Sequence, residues 1–417
     1  MPKFQGYHCS ICGREYRPDE FMYTCPHDGG NLDVVLPYEE ILQHHPMGSI
    51  ITGGDPSLWR YLPLLPVEDP GGQGTPLRAA GWTPVYHSPR LMKTLDMSHL
   101  WVKDESRNPT ASFKDRASAV VVARAREIGA KVIVTASTGN AGAALAGMAA
   151  AVGQQAVIFA PKTAPPAKVA QLLIFGAQVI LVDGNYDQAF DLSVQASQNF
   201  GWYCRNTGFN PFTVEGKKTA AFEIWEQVLL KNTFSRPLSV FVSIGDGNII
   251  TGIHKGFKDL QALGWLEQMP RLFGVQAKGS SSVADAFLAK TEKICKVSAN
   301  TIADSISVDL PRDGVRAVRA MSQTDGDCLV VEDHEILHAI AALGKAGIFA
   351  EPAGAAAYAG LAKAVDRGLV ELDDPVLVLN TGSGLKDTRA AMMAVREPPV
   401  IEPTLPALKQ YLASLSG

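Results

Sequence analysis

From residue 99 onward the chain repeats one pattern. A short unbroken apolar run is followed by a turn of small or polar residues, then by a longer segment with apolar positions at helical spacing. The spacing predicts a strand over 99–103 (HLWVK) and a helix over 113–128. It then predicts strands over 131–136, 156–160 and 178–182, alternating with helices over 140–152, 166–175 and 186–200. Further apolar runs at 239–243, 271–275 and 376–379 predict a second set of strands, which 100–103 joins. Strands apolar on both faces, each followed by an amphipathic helix, are parallel and covered on both sides. The expectation is therefore an α/β fold with two open, mostly parallel sheets. Ligands of such sheets bind beyond the carboxyl ends of the strands, so the strand-to-helix junctions are the places to look for chemistry.

Before residue 81 the pattern fades. Residues 34–80 are rich in Pro and Gly with few periodic apolar positions, and read as a connecting arm of the kind that wraps a neighbour. Residues 9–32 (CSICGREYRPDEFMYTCPHDGGNL) hold CxxC, a gap of hairpin length and a third cysteine, which is most of a zinc ribbon. Structural zinc takes four ligands; Cys9, Cys12 and Cys25 supply three, and Asp28 or His27 the fourth. A metal-free remnant packed on its own small core is the alternative. The expected organisation is a ribbon-like segment over 1–35, an arm over 36–80, a large domain from 81–115 and 207–400, a smaller α/β domain over 116–206, and a tail over 401–417.

Composition narrows the partners. A chain of 417 residues, 46% hydrophobic, buries a large core, and a net charge of −4 gives no broad basic field for nucleic acid or an anionic membrane. No apolar run reaches the roughly 18 residues of a membrane span, and the first residues, MPKFQGYHCS, lack the apolar core of a signal peptide. A cytoplasmic globular protein is expected. The six cysteines do not form a disulfide pattern, and Cys204, Cys295 and Cys328 read as packed or incidental thiols.

Four junctions carry candidate chemistry. In NPTASFKDR (108–116) Lys114 sits at the mouth of the helix over 113–128, where the positive end of the helix dipole disfavours the ammonium and favours a nucleophilic amine. In STGNAG (137–142), Ser137, Thr138, Asn140 and Ala141 open a helix whose free N–H groups suit a carboxylate, although the same residues also serve as an ordinary N-cap. In IGDGNIITG (244–252) the glycines let successive N–H groups close around an anion; there is no dinucleotide fingerprint and no Walker lysine. In NTGSGLKD (380–387), Thr381 follows a strand end with a hydroxyl able to meet a ring nitrogen.

These segments, in this order, resemble the fold-type II pyridoxal-phosphate enzymes of the tryptophan-synthase-β class, and within it the threonine synthase family. GWTPVYHSPRL (81–91), NTGFNPFTVEGKKTAAFEI (206–224) and FAEPAGAAAYAGL (349–361) extend the resemblance over nearly the whole chain. It implies a homodimeric enzyme that converts O-phospho-L-homoserine and water to L-threonine and phosphate. Lys114 would carry the cofactor and act as base, and Asn140 would contact the cofactor ring hydroxyl. Gly245, Asp246, Gly247, Asn248 and Ile249 would cradle its phosphate, and Thr381 would face its pyridine nitrogen. Ser137, Thr138, Asn140 and Ala141 would hold the substrate carboxylate, with Asn206 and Thr207 at its phosphate. The chain departs from the family twice. Ala111 stands where Gly is usual, and Thr213 stands where an Arg usually grips the substrate phosphate, which makes Lys217, one helical turn on, the expected substitute. Thr213 and TIADSISV (301–308) leave open a threonine or serine dehydratase or a synthase using O-phosphoserine. A non-enzymatic ribbon protein is the remote alternative.

Overall fold

The computed structural model describes residues 3–20 and 23–415; residues 1–2, 21–22 and 416–417 of the expected ribbon and tail lie outside the described residues. Its strands in chain order are β1 Gly6–Cys9, β2 Glu15–Tyr16, β3 Leu32–Val35, β4 Val85–His87, β5 His99–Asp104, β6 Val132–Ala136 and β7 Gln155–Pro161. There follow β8 Gln178–Val182, β9 Tyr203–Cys204, β10 Ser239–Ser243, β11 Arg271–Ala277, β12 Asp327–Val331 and β13 Pro375–Asn380. They form three sheets, ordered β2-β1-β3, β8-β7-β6-β9 and β12-β11-β10-β13-β5-β4. The four-stranded sheet is parallel throughout, and the six-stranded sheet is parallel except at its edge, where β4 runs against β5. The two open α/β sheets read from the sequence are present. Three of their strands were missed: β12, whose short apolar run DCLVV gave little signal, the three-residue edge strand β4, and β9, only two residues long.

The arm is more structured than its composition implied. It forms helices Tyr38–His44 and Met47–Ile51 and 3-10 turns Leu58–Leu64 and Pro76–Ala79. Rather than reaching outward, it buries Leu58, Trp59, Tyr61, Leu64 and Leu65 within its own chain. The Tyr61 ring packs at a tilt, 5.3 Å from that of Phe222, and its hydroxyl donates to Glu226 Oε2 at 2.7 Å, so the arm docks on helix Phe212–Gln227. Proline and glycine hide such a segment from periodicity, because its apolar contacts are made singly.

Helix Phe212–Gln227 is the pivot of the fold, buried on nearly every side between helices Lys114–Glu127 and Asn248–Ala262. Gly216 permits the approach: a Cβ there would lie 2.2 Å from the carbonyl oxygen of Arg116. No helix among the described residues is long and apolar enough to cross a membrane.

Candidate active site

After β5 the chain passes through a 3-10 turn, Glu105–Arg107, and helix Lys114–Glu127 opens with Lys114 as its first residue. Ala111 N–H donates to Asn108 O at 2.8 Å to close the turn, and Ala111 has φ +63°. The left-handed region costs a residue with a Cβ about 1–2 kcal/mol, so the Ala-for-Gly departure falls where glycine's freedom is used. Neighbouring backbone holds the turn in place. Phe113 N–H donates to Thr381 O at 2.9 Å, Ser383 N–H donates to Ala111 O at 3.1 Å, and Glu351 N–H donates to Gly382 O at 3.0 Å. The lysine turn, the loop after β13 and the segment before helix Pro352–Asp366 are thereby stitched together.

Beneath this turn lies a fully buried charge cluster. Arg116 donates from Nε and Nη2 to Glu105 at 2.7 and 2.8 Å, and from Nη1 and Nη2 to Glu223 at 2.5 and 2.7 Å. Lys103 Nζ donates to Glu223 Oε2 at 2.7 Å. The neighbouring Arg116 and Lys103 hold the Glu223 carboxyl below its ordinary range against the opposing effect of burial. Two bidentate Arg–carboxylate pairs fix the first turn of the lysine helix in orientation as well as position.

Above it opens a cavity of about 650 Å³ between the two large sheets. Lys114 borders it, and burial, with the charge of Arg205, lowers its amine to about 8. Ser137, Thr138, Asn140 and Ala141 border it from the start of helix Asn140–Ala150, whose first-turn N–H groups have no partner within the helix. Asn140 Nδ2 donates to Glu351 Oε1 at 2.7 Å, leaving its second amide hydrogen for a ligand. Gly245, Asp246, Gly247, Asn248 and Ile249 border the cavity at the head of helix Asn248–Ala262. Gly247 has φ +92°, and a Cβ there would lie 2.6 Å from Asp313 O, so turn and packing both require glycine. Burial raises the carboxyl of Asp246. Thr381, Thr207 and Lys217 also border the cavity, Lys217 with its Nζ on Asn248 Oδ1.

Two predicted residues are placed otherwise. Asn206 accepts from Thr135 Oγ1 at 3.0 Å and from Ala136 N at 2.8 Å, and donates to Ser193 Oγ at 2.8 Å. Its oxygen and one amide hydrogen are engaged by β6 and Ser193, and it does not border the cavity, so the structure gives it a positioning place rather than the expected substrate contact. Thr213 is fully buried and does not border the cavity itself; its hydroxyl lies 2.8 Å from Asn210 O and 3.2 Å from Oδ1 of the cavity-wall residue Asn248, directly behind the cradle. Sequence reasoning missed Arg205 and Glu351, both at the cavity wall. Glu351 lay inside the quoted FAEP segment; Arg205 directly precedes NTGFNP, and its only signal was that position.

The donor set fits pyridoxal phosphate. A partly buried lysine with a lowered amine faces a glycine cradle at a helix N-terminus, which suits a phosphate, and a neutral Thr381 stands across the same cavity. In the ribbon, the ligand atoms of Cys9, Cys12, Cys25 and Asp28 all lie within 4.8 Å of one another, and Asp28 rather than His27 completes the set. Cys12 Sγ and Cys25 Sγ are 3.8 Å apart, close to the edge of a tetrahedron with zinc–sulfur bonds of about 2.3 Å. The ribbon also reaches the cradle. Asp33 accepts from Arg316 at 2.6 Å, Arg316 donates to Asp313 at 2.5 and 2.9 Å, and Asn248 Nδ2 donates to Asp313 at 2.7 Å.

Residues 77–382 match the profile of the pyridoxal-phosphate dependent enzyme family. A threonine synthase of Methanocaldococcus jannaschii is 37% identical over 98% of this chain and 99% of its own length. One from Methanosarcina acetivorans is 36% identical over 97% and 98%, and one from Mycobacterium leprae 33% identical over 85% and 93%. Among solved structures, the processed form of threonine deaminase isoform 2 from Solanum lycopersicum superposes with a TM-score of 0.66 at 22% identity, covering 81% of this chain and 88% of that one. Maize serine racemase gives 0.61 at 23%, over 80% and 92%. These two likenesses speak for the fold; the sequence relatives, matched from end to end, speak for the branch, and the chain belongs to the threonine synthases of the pyridoxal-phosphate-dependent enzyme family.

Proposed function

We propose that this cavity converts O-phospho-L-homoserine and water to L-threonine and phosphate, with Lys114 as the cofactor-bearing lysine and the base. The observation that carries the reading is the convergence of four separate segments on one cavity: lysine turn, carboxylate loop, glycine cradle and Thr381 loop. Pyridoxal phosphate, when bound at Lys114, supplies an electron sink that acidifies the substrate Cα–H bond. The chain's own groups do the rest. The first-turn N–H groups beside Thr138, Asn140 and Ala141 orient the substrate carboxylate, and Asn140 reaches the ring hydroxyl with its remaining amide hydrogen. Thr381 offers a neutral hydroxyl to the ring nitrogen; it cannot sustain a pyridinium, and the weaker sink suits elimination and replacement over transamination. Lys114 Nζ would be the base that receives the Cα proton and carries protons among Cα, Cβ and Cγ. Phosphate leaves Cγ with the bonding pair, and water adds its oxygen at Cβ.

The same reading assigns Cys9, Cys12, Cys25 and Asp28 a structural zinc with no open position, and places the enzyme in the cytoplasm as a homodimer. Its division into a large domain, 81–115 with 207–400, and a smaller one, 116–206, follows the two large sheets. Phosphate and amino-acid products should be assayed with O-phosphohomoserine, O-phosphoserine and threonine as separate substrates. Phosphate and threonine from the first are expected. Deamination of threonine without phosphate release from O-phosphohomoserine sinks the reading. Borohydride followed by peptide mapping should label Lys114 alone, and label on Lys103, Lys217 or Lys218 refutes the site.

A further inference from the structure

Seven lysines and arginines are buried side chains of this fold: Lys103, Arg116, Arg205, Lys217, Lys218, Lys255 and Arg316. Five of them are neutralised in place. Lys103 and Arg116 pair with Glu223, Lys218 and Lys255 with Glu215 and Asp259, and Arg316 with Asp313 and Asp33. Arg205 and Lys217 have no carboxylate within ion-pair distance among the described residues, and both border the active-site cavity. An uncompensated buried charge costs several kcal/mol, and a fold keeps one where a ligand of opposite charge completes it. Two such cations beside one cavity call for two anionic groups.

The two are not equivalent. Lys217 Nζ rests on Asn248 Oδ1, the first residue of helix Asn248–Ala262, so it belongs with the glycine cradle. Arg205 stands on the smaller sheet. Its N–H donates to Val134 O at 2.8 Å, its Nε to Ser118 Oγ at 3.2 Å and its Nη1 to Thr207 Oγ1 at 2.7 Å. Its Nη2 is buried without a hydrogen-bond partner. The guanidinium is therefore held by neutral groups, which fix its direction and leave its charge and one amino group unspent. Asp246 is the acid whose charge favours the protonated forms of Arg205, Lys217 and Lys114 together, and burial raises its own carboxyl; burial also lowers Lys217 well below its ordinary value and Arg205 to about 10, as expected of cationic groups that lack an anion beside them.

We propose that Arg205, with the hydroxyl of Thr207, is the group that grips the terminal phosphate monoester of the substrate, in place of the arginine missing at Thr213, while Lys217 serves the cofactor phosphate. This rests on the reading of the cavity as a threonine synthase site and supplies the specificity determinant that reading lacks. A guanidinium presents a planar fork that matches phosphate oxygens, which the compact ammonium of Lys217 does not.

The test uses holoenzyme of wild type, Arg205→Gln, Arg205→Lys, Thr207→Val and Lys217→Gln. Three quantities are read: KM for O-phosphohomoserine, the calorimetric Kd of inorganic phosphate, and cofactor occupancy from its absorbance after dialysis. Losing a hydrogen bond to a charged group corresponds to about 10- to 150-fold in affinity. Arg205→Gln is expected to raise both KM and the phosphate Kd by that range with occupancy unchanged. Arg205→Lys, which keeps the charge and guards against misfolding of the Gln variant, should recover part of the loss. Thr207→Val should raise the phosphate Kd by a smaller factor, and Lys217→Gln should lower occupancy first. Unchanged KM and phosphate Kd in both Arg205 variants overturn the proposal, and so does loss of cofactor with phosphate affinity retained. If wild type binds inorganic phosphate through Arg205 but releases none from O-phosphohomoserine, the anion site stands and the proposed reaction falls instead.

Discussion

Replacing Arg116 with Met should be among the most damaging single changes outside the cavity. The five N–H groups of the Arg116 guanidinium make four hydrogen bonds to Glu105 and Glu223 and one to Thr219 Oγ1, with Thr83 Oγ1 at 3.2 Å sharing an Nη2 hydrogen, all in fully buried surroundings. With Lys103 the cluster holds two cations and two carboxylates. Methionine fills much of the volume but leaves one negative charge uncompensated, and breaking a buried pair from one side costs about 3–5 kcal/mol. Urea unfolding of the holoenzyme, followed by far-UV circular dichroism, measures it. The sign with pH is also fixed. Glu223 is held below its ordinary range, so its contribution is present above the usual carboxylate pKa of about 4.3 and is lost as pH falls toward its folded value. The variant should lack this part of the acid sensitivity. Adding Glu223→Leu removes the stranded charge, leaving Lys103 with Glu105, and should restore at least about 1 kcal/mol. An Arg116→Met enzyme within about 1 kcal/mol of wild type would refute the view that this cluster is a paired, desolvated unit.

Other expectations are smaller. Ala111→Gly relieves a left-handed alanine but frees the unfolded chain, for a net gain of about 0.5–1 kcal/mol in urea unfolding; a loss would mean the Cβ is better accommodated than φ +63° implies. In cofactor-free enzyme the lowered amine of Lys114 should make the rate of cofactor reloading rise with pH and level off above about 8; a midpoint near 10 refutes the lowered amine. Chelation should release about one zinc per chain and lower thermal stability while leaving the cofactor absorbance of the holoenzyme intact, since the ribbon ligands form a closed set. A spectral change on metal removal, with the protein still folded, would give the ribbon a part in the chemistry.

What could be read from the sequence was local. Strand and helix runs carry their own period, and the glycine loops and the lysine turn are short segments whose chemistry is visible in adjacent residues. The rest depends on residues far apart in the chain. Arg205 is recognisable only by the absence of a carboxylate beside it, and absence of a neighbour leaves no trace in a linear string. Glu223 meets Arg116 and Lys103 across more than a hundred residues. Asn206 was expected at the substrate because, with Thr207, it matches the family's phosphate-contacting pair, yet only Thr207 borders the cavity. The arm from 36–80 hid its buried aromatics among prolines.

The order of the six-stranded sheet bears on how this protein is made. β13 lies between β5 and β10, so among the described residues the innermost seam of the large sheet is filled by the last strand to be synthesised. About 270 residues separate the end of β5 from the start of β13, roughly 15–50 s of translation at ordinary rates. Throughout that interval β5, and from its own synthesis onward β10, presents an apolar strand edge with its proper neighbour still unmade, and Phe113 waits for the carbonyl of Thr381. The smaller sheet, by contrast, draws every strand from between Val132 and Cys204 and can close early. Between Cys204 and Pro375 the nascent chain thus carries one finished half and one open half, and the open half is where a chaperone would be needed and where a ribosomal stall would leave an aggregation-prone product.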